Sequence, residues 1–480
     1  MTEETEVSEL EKQLLLERKS CWETWDEDTR NEAMAFAEGY KAFISKAKTE
    51  RLAVEETKRL AEEQGFVPFE TVEQGGAPLV SGAKVYAINR QKDIILAVMG
   101  KKPLTDGAHL ILAHIDSPRI DLKMHPLYED EYLGLLKTHY YGGIKKYQWP
   151  ALPLAMHGVV VLSDGSKVNI SIGEDPADPV FIITDLLPHL AEKQMAKQLR
   201  EAIEAEELNL VVGSIPYPDK KARTKIKLNI MKLLNDRYGI TEEDLISADI
   251  EIVPAGPARD LGFDRSLITG YGHDDRSCAY TSIQSLFAQS EPEYTCVAVL
   301  TDKEETGSAS NTGITSIYLY DFLSRLLAVS EAHRDGLGVD VYLRRALANS
   351  CAVSADVANG MDPTYKSVHD EKNAARLGCG VVLEKYTGAR GKYGTSEANA
   401  EFMAKMRQIF NSNDIVWQTG AIGRVDLGGG GTVAMYLAEY NMDIVDCGPA
   451  VLNMHAPYEI VSKADLYSAY QAYKAFLGSA

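Results

Sequence analysis

The sequence predicts an α/β fold: a mixed, largely parallel sheet sandwiched by helices, interrupted by an inserted, mainly β second domain. Three observations carry this. Short apolar runs rich in β-branched residues, such as YTCVAVL (294–300) and the start of CAVSADVANG (351–360), alternate with longer helical patterns, the rhythm of strands joined by helical crossovers. Several of these runs stop at a histidine or a carboxylate, and strand ends are where open α/β sheets bind ligands. Between residues 124 and 245 the pattern changes to aromatic and glycine clusters without strand-end acids.

Taken in order, residues 6–65 read as helix: runs of Glu, Lys, Ala and Leu without proline, closing at Gly65. KVYAIN (84–89) and DIILAVMG (93–100) form a strand pair across a short polar turn. AHLILAHIDSPRIDLK (108–123) is an apolar strand that runs into His114 and Asp116 and is stopped by Pro118. The inserted stretch holds HYYGGIKKYQW (139–149), a VVV strand with an S-D-G turn, a charged helical segment EKQMAKQLREAIEAEE (192–207) and a basic, leucine-rich helix over 219–239. The strand–helix rhythm resumes at DIEIVPAG (249–256). A helix over 277–290, the strand 294–300, a helix around 314–329, the strand from 351 and a helix over 395–410 follow. DLGGGGT (426–432), the strand MDIVDCG (442–448), NMHAPYEI (453–460) and a helix from Lys463 close the chain. This organisation gives a discontinuous domain of residues 1–123 and 246–480, with residues 124–245 inserted as a lid or oligomerisation domain.

A chain of 480 residues can bury a full core in at least two domains. Its net charge of −20 argues against nucleic acid or an anionic membrane as partner. No stretch approaches the ~20 apolar residues of a membrane span, and the acidic N-terminus MTEETEVSELEKQ lacks the apolar core of a secretory signal. The cysteines are scattered without a CxxC pair, as expected of buried free thiols in a reducing compartment. The expected location is the cytoplasm.

The chemistry centres on Thr301–Gly307, T-D-K-E-E-T-G, where Glu304 and Glu305 sit side by side after a buried strand. Adjacent acids repel, so their place at a strand end calls for a cation. His114, Asp274, Asp356 and His455 also lie at or just after expected strands. Two imidazoles with three carboxylates suit zinc, with manganese or cobalt also compatible. Two metals sharing one carboxylate would use His114, Asp274, Glu305, Asp356 and His455, and would leave Glu304 as general base. Asp116, on the same strand face as His114, can orient its imidazole. Each residue has a plainer alternative: a strand-end histidine, a turn acid or, at H-D-D-R (273–276), an N-cap acid. The GGGG run (428–431) lacks the Lys-Ser/Thr of a phosphate loop and reads as a tight turn.

The motifs AHIDSPRIDLK, YYGGIKKYQW, DDRSC, DKEETGS, SADVANGMDPTY and VDCGPAVLNMHAPYEI, in this order, resemble those of the aspartyl aminopeptidase family of dinuclear metallo-aminopeptidases. The resemblance spans nearly the whole chain and implies a zinc-exopeptidase-like catalytic domain, a second domain covering the site, and a tetrahedral homo-dodecamer. It implies that His114 and Asp356 hold one metal, that Glu305 and His455 hold the other, and that Asp274 bridges them through a cis peptide to Asp275. Glu304 would be the base and Asp116 the residue orienting His114. By the same resemblance, His189 would serve a neighbouring subunit's site and Lys385 would meet an acidic substrate side chain. The chain departs from the family pattern at Asp275-Arg276, at Asn359 and Asp362, and in H-A-P-Y-E after the last histidine.

The reading is a metal-dependent aminopeptidase that removes N-terminal residues, with acidic ones the implied preference, from peptides. A metal-bridged hydroxide would be the nucleophile and Glu304 the base. A deacylase or carboxypeptidase on the same metallo-fold is the alternative in kind. A non-catalytic oligomeric scaffold is the alternative in class, and the presence of all six site residues opposes it.

Overall fold

The computed structural model describes residues 9–75, 78–330 and 338–480. The expected features of the first eight residues lie outside these. Among the described residues the strands form three sheets. The largest, of nine strands, runs in the order Val67–Pro68, Lys84–Asn89, Asp93–Val98, Thr295–Thr301, Ala108–His114, Cys351–Ser354, Asp443–Gly448, Val381–Glu384 and Trp417–Thr419. Its centre is parallel: Ala108–His114 lies between Thr295–Thr301 and Cys351–Ser354, and Cys351–Ser354 continues in parallel to Asp443–Gly448. Antiparallel pairs occur toward both sides. The mixed, largely parallel sheet expected from the sequence is present.

Both faces of this sheet are covered, which explains why its strands read as unbroken apolar runs. Ile111 and Ala113 point to one core with Cys296, Ala298 and Leu300, where Glu27–Lys46, Glu50–Glu63, His273–Phe287, Ala400–Ser412 and Lys463–Leu477 pack. Leu110 and Leu112 point to the other with Val297 and Val299, beneath Tyr318–Ser330 and Val339–Asn349. The alternation follows the two-residue period of a strand. Among the described residues, no helix is long and apolar enough to cross a membrane.

The second sheet, of seven strands, is antiparallel and has its own core around Ile120, Trp149, Leu154 and Ile252. Its strands run from Arg119–Asp130 to Asp249–Pro254. The stretch 108–123 is therefore two strands: Ala108–His114 in the large sheet and Arg119–Asp130 in this one. DIEIVPAG does not resume the first rhythm; Asp249–Pro254 pairs with Leu154–Val161 and Arg119–Asp130. The segment 192–207 is not one helix. It breaks into Glu192–Met195, Leu199–Ala202 and the turn Ala205–Glu207. Of its residues only Ile203 is buried, and without a packed stripe propensity does not sustain a helix. The basic helix is present over Lys225–Tyr238.

A third sheet, of five short strands, was not evident from sequence. It joins Leu267–Gly270, Glu459–Ser462 and Ala450–Leu452, with Arg259–Leu261 and Ala358–Asn359 at its edges. It carries the turn that holds His455 toward the large sheet.

Candidate metal centre

Three neighbouring parallel strands deliver the first group of residues. His114 ends Ala108–His114 and aligns with Thr301 of the next strand, from which Glu304 and Glu305 follow after a sharp turn. Lys303 at the head of that turn has φ +72°, and Gly307 closes it at φ +94°. On the other side of His114, Cys351–Ser354 leads to Asp356. Asp274 comes from the start of the helix His273–Phe287, and His455 from the turn before Glu459–Ser462.

Asp274 has one imidazole on each of its oxygens. His114 Nε2 lies 3.1 Å from Oδ1, and His455 Nε2 lies 3.3 Å from Oδ2. Glu305 Oε1 is 3.6 Å from His455 Nε2, and Glu304 Oε2 is 3.9 Å from His114 Nε2. Two ligand-competent groupings overlap here, His114 with Glu304 and Glu305, and Asp274 with Glu305 and His455; a third joins His114, Asp275 and Asp356. All of the strand-end residues singled out in the sequence are thus brought together. The N-cap alternative for Asp274 is not realised: Gly272 caps the helix, and the backbone of Asp274 and Asp275 inside it is non-helical, with a cis peptide between them.

The imidazoles are oriented from behind. His114 Nδ1 donates to the Asp116 carbonyl at 2.9 Å, and His455 Nδ1 donates to the Gly143 carbonyl at 2.9 Å. A carbonyl can only accept, so both Nδ1 atoms carry a proton. The acids facing both Nε2 atoms also only accept. Against burial, which lowers both groups, Asp116 and Asp274 raise His114 well above the usual imidazole range, and Asp274 and Glu305 raise His455 to about 10. A bound cation would take the place of the Nε2 protons. Asp116 does more than orient His114. Its Oδ1 accepts from the Glu304 amide and its Oδ2 from the Glu305 amide, each at 3.2 Å, while Tyr141 donates to Oδ2 at 2.6 Å.

Electrostatics mark the place as built for a cation. Burial and the charge of Asp274 push Glu305 well above the usual carboxylate range. Burial pushes Glu304 up to about 7, with Asp274 and Asp116 adding to it. Asp356 is raised by burial and by Asp274 and Glu304. Glu305 Oε1 and Asp275 Oδ1 are buried with no hydrogen-bond partner, and such orphans are costly unless an ion satisfies them. Imidazole nitrogens with carboxylate oxygens are the donor set zinc takes, so the residues fit that ion.

Four contributors go beyond the roles read from the sequence, where Asp275 entered as the cis-peptide partner of Asp274. Asp275 is buried beside Asp356, and its Oδ2 accepts from the His114 amide at 3.3 Å. Glu459 accepts from the His455 and Asp274 amides. Tyr141 and Gly143 come from the seven-stranded sheet and the loop after it. Glu459, four residues past His455 on an otherwise apolar strand, was the one available signal. His189 is exposed on the turn Pro188–Leu190 and, among the described residues, makes no hydrogen bond or ion pair with the metal-site residues. Lys385 is 46% exposed and lies 3.8 Å from Glu397.

Fold and donor set together define a metal-dependent hydrolase. The chain belongs to the M18 family, the aminopeptidase I zinc metalloproteases, whose family model matches residues 43–477. It is 48% identical over 466 residues to a probable M18 family aminopeptidase 1 of Clostridium acetobutylicum, covering 97% of this chain and 99% of that one. It is 46% identical to the corresponding protein of Thermotoga maritima, over 96% of this chain and 99% of the relative. The crystal structure of an M18 aminopeptidase from Thermotoga maritima superposes with a TM-score of 0.91 at 45% identity, over 97% of this chain and all of that one. A yeast relative solved as a dodecamer shares the fold, with a TM-score of 0.74 at 18% identity over 93% of this chain and 97% of that one. The family resemblance read from the motifs is borne out, and the chain is an aminopeptidase of zinc metalloprotease type.

Proposed function

We propose that this aminopeptidase works with two zinc ions per subunit. His114 and Asp356 would hold one, Glu305 and His455 the other, and Asp274 both. What supports the reading is the pair of imidazoles on the two oxygens of Asp274. Zinc, when bound, supplies Lewis acidity to the scissile carbonyl and lowers the pKa of water. The chain's own residues supply the rest. Glu304 is held by its backbone against Asp116 with its side chain 17% exposed and next to His114. A carboxyl that titrates near 7 is matched to taking a proton from the attacking water and passing it to the leaving amine. Asp116 fixes the turn carrying both glutamates and the tautomer of His114. The same residues would serve a deacylase or carboxypeptidase, but the relatives are aminopeptidases.

Specificity for acidic N-terminal residues is part of the proposal, with Lys385 as the cation that meets the side chain. A panel of free aminoacyl substrates, run with zinc, manganese and cobalt, tests it. Aspartyl and glutamyl substrates should lead, and Lys385→Ala should cost them roughly 2–5 kcal/mol while leaving neutral ones unchanged. A wild type that prefers leucyl or lysyl substrates removes Lys385 from the reading. No turnover of any free aminoacyl substrate by the zinc-loaded protein would favour the scaffold alternative.

We further propose a large homo-oligomer, a tetrahedral dodecamer, with the seven-stranded body as lid and contact surface. Exposed Leu186, Leu187, Leu190, Met195 and Leu199 in that body support it. The free thiols of all six cysteines support a cytoplasmic location.

A further inference from the structure

We propose that Glu459 is the positioning residue that sets the separation of Asp274 and His455, and so the site of the second ion, which rests on the two-ion reading. Its carboxylate joins the two backbones directly, next to the contact of the His455 imidazole with the Asp274 side chain and the pairing of Gly270 with Glu459 in the five-stranded sheet. Oε2 accepts from the Asp274 amide at 3.0 Å, and Oε1 accepts from the His455 amide at 2.7 Å. Asp274 belongs to the helix that packs behind the large sheet, whereas His455 hangs on a turn of the five-stranded sheet. One rigid carboxylate, 1% exposed, therefore fixes two ligands of the same ion relative to each other through their main chains.

The remaining contacts leave this role to Glu459. Asp274's carbonyl accepts from Ser117 Oγ at 2.6 Å, so the residue's backbone is held at both its N–H and its carbonyl. His455 has φ +65°, a left-handed conformation that a non-glycine residue keeps only when surroundings impose it. Its amide bond to Glu459 and its Nδ1 bond to Gly143 impose it here. No other residue type matches the need. An amide side chain would turn an NH2 against one of the two N–H groups, and aspartate is one methylene too short to reach both.

The test uses the full-length oligomer. Zinc titration with a competing chelator, and the visible spectrum of the cobalt-loaded protein, are compared for wild type, Glu459→Gln and Tyr458→Phe. The tyrosine variant removes a hydroxyl from the same turn, where it donates to Ala255, without touching either amide. In Glu459→Gln, affinity for one of two ions should fall by about 10–100-fold, with a changed cobalt spectrum at that site. Excess zinc should restore kcat with KM unchanged, and Tyr458→Phe should match wild type. Retention of both ions at wild-type affinity in Glu459→Gln overturns the proposal, as does equal loss in Tyr458→Phe. A wild type that binds a single ion would instead overturn the two-ion reading. Hydrogen exchange on metal-stripped wild type needs no variant: the Asp274 and His455 amides should stay protected, and free exchange at both would also overturn the role of Glu459.

Discussion

Tyr141 donates a 2.6 Å hydrogen bond to Asp116, joining the seven-stranded sheet to the turn that carries both active-site glutamates. The tyrosine ring is itself held, with the Arg119 guanidinium 4.0 Å from its centroid and Lys303 Nζ at 4.9 Å. Tyr141→Phe keeps the ring and removes only the donor. It should lower kcat/KM by about tenfold, with zinc released more readily to a chelator. Unchanged kinetics and zinc retention would show that the hydroxyl plays no part in the site.

The adjacent glutamates should separate cleanly by substitution. Glu304→Gln should keep near-full zinc content and lose kcat by about 10²–10⁴-fold. Glu305→Gln should lose zinc, because its carboxylate faces His455 through a buried oxygen that has no hydrogen-bond partner. Metal analysis that finds both variants equally depleted would contradict the division of roles.

His189 sits among exposed leucines on the seven-stranded body, away from its own subunit's ligand contacts. If it completes a neighbour's site, His189→Ala should lower kcat with little change in zinc content. Mixed oligomers of His189→Ala with Glu304→Gln subunits, after subunit exchange, should recover part of the activity. Exchanged oligomers that stay inactive would count against the role in trans.

His109 offers a stability prediction away from the catalytic chemistry. It stacks between Tyr294 and Phe476, with ring centroids 4.8 Å and 5.0 Å away. Burial pushes its pKa down to about 4. The unfolded chain takes up this proton near pH 6.5, whereas the folded protein resists until about pH 4. Stability is therefore lost as pH falls through that window, by about 2 kcal/mol at pH 5. His109→Phe should remove this part of the acid sensitivity. Urea midpoints at pH 7 and pH 5, at fixed protein concentration, measure it; equal pH dependence in both proteins would refute it.

The sequence made the large sheet and its strand-end residues legible for one physical reason. Strands buried on both faces are written as apolar runs, and a histidine or acid that ends such a run, as His114 and Glu305 do, stands out against them. The five-stranded sheet stayed hidden because strands such as Ala358–Asn359 and Ala450–Leu452 are too short to show a period. The strand Asp249–Pro254 was assigned to the wrong sheet because an apolar strand does not declare which sheet it joins. Tyr141 and Gly143 act through a hydroxyl and a backbone carbonyl across a long loop, and no local pattern records such a bond. The segment 192–207 had helical composition, but it buries only Ile203, and composition alone does not reveal that.

The carbonyl of Gly143 holds His455 from outside the catalytic body. The enzyme therefore cannot be pared down to a minimal catalytic module by excising residues 119–254, since the His455 imidazole would lose the hydrogen bond that aims it. A replacement of this segment would need to return the 141–143 span to the same height, with the Tyr141 hydroxyl on Asp116 and the Gly143 carbonyl on His455. This short span of the seven-stranded body is tied to the metal-site residues themselves through His455 and Asp116.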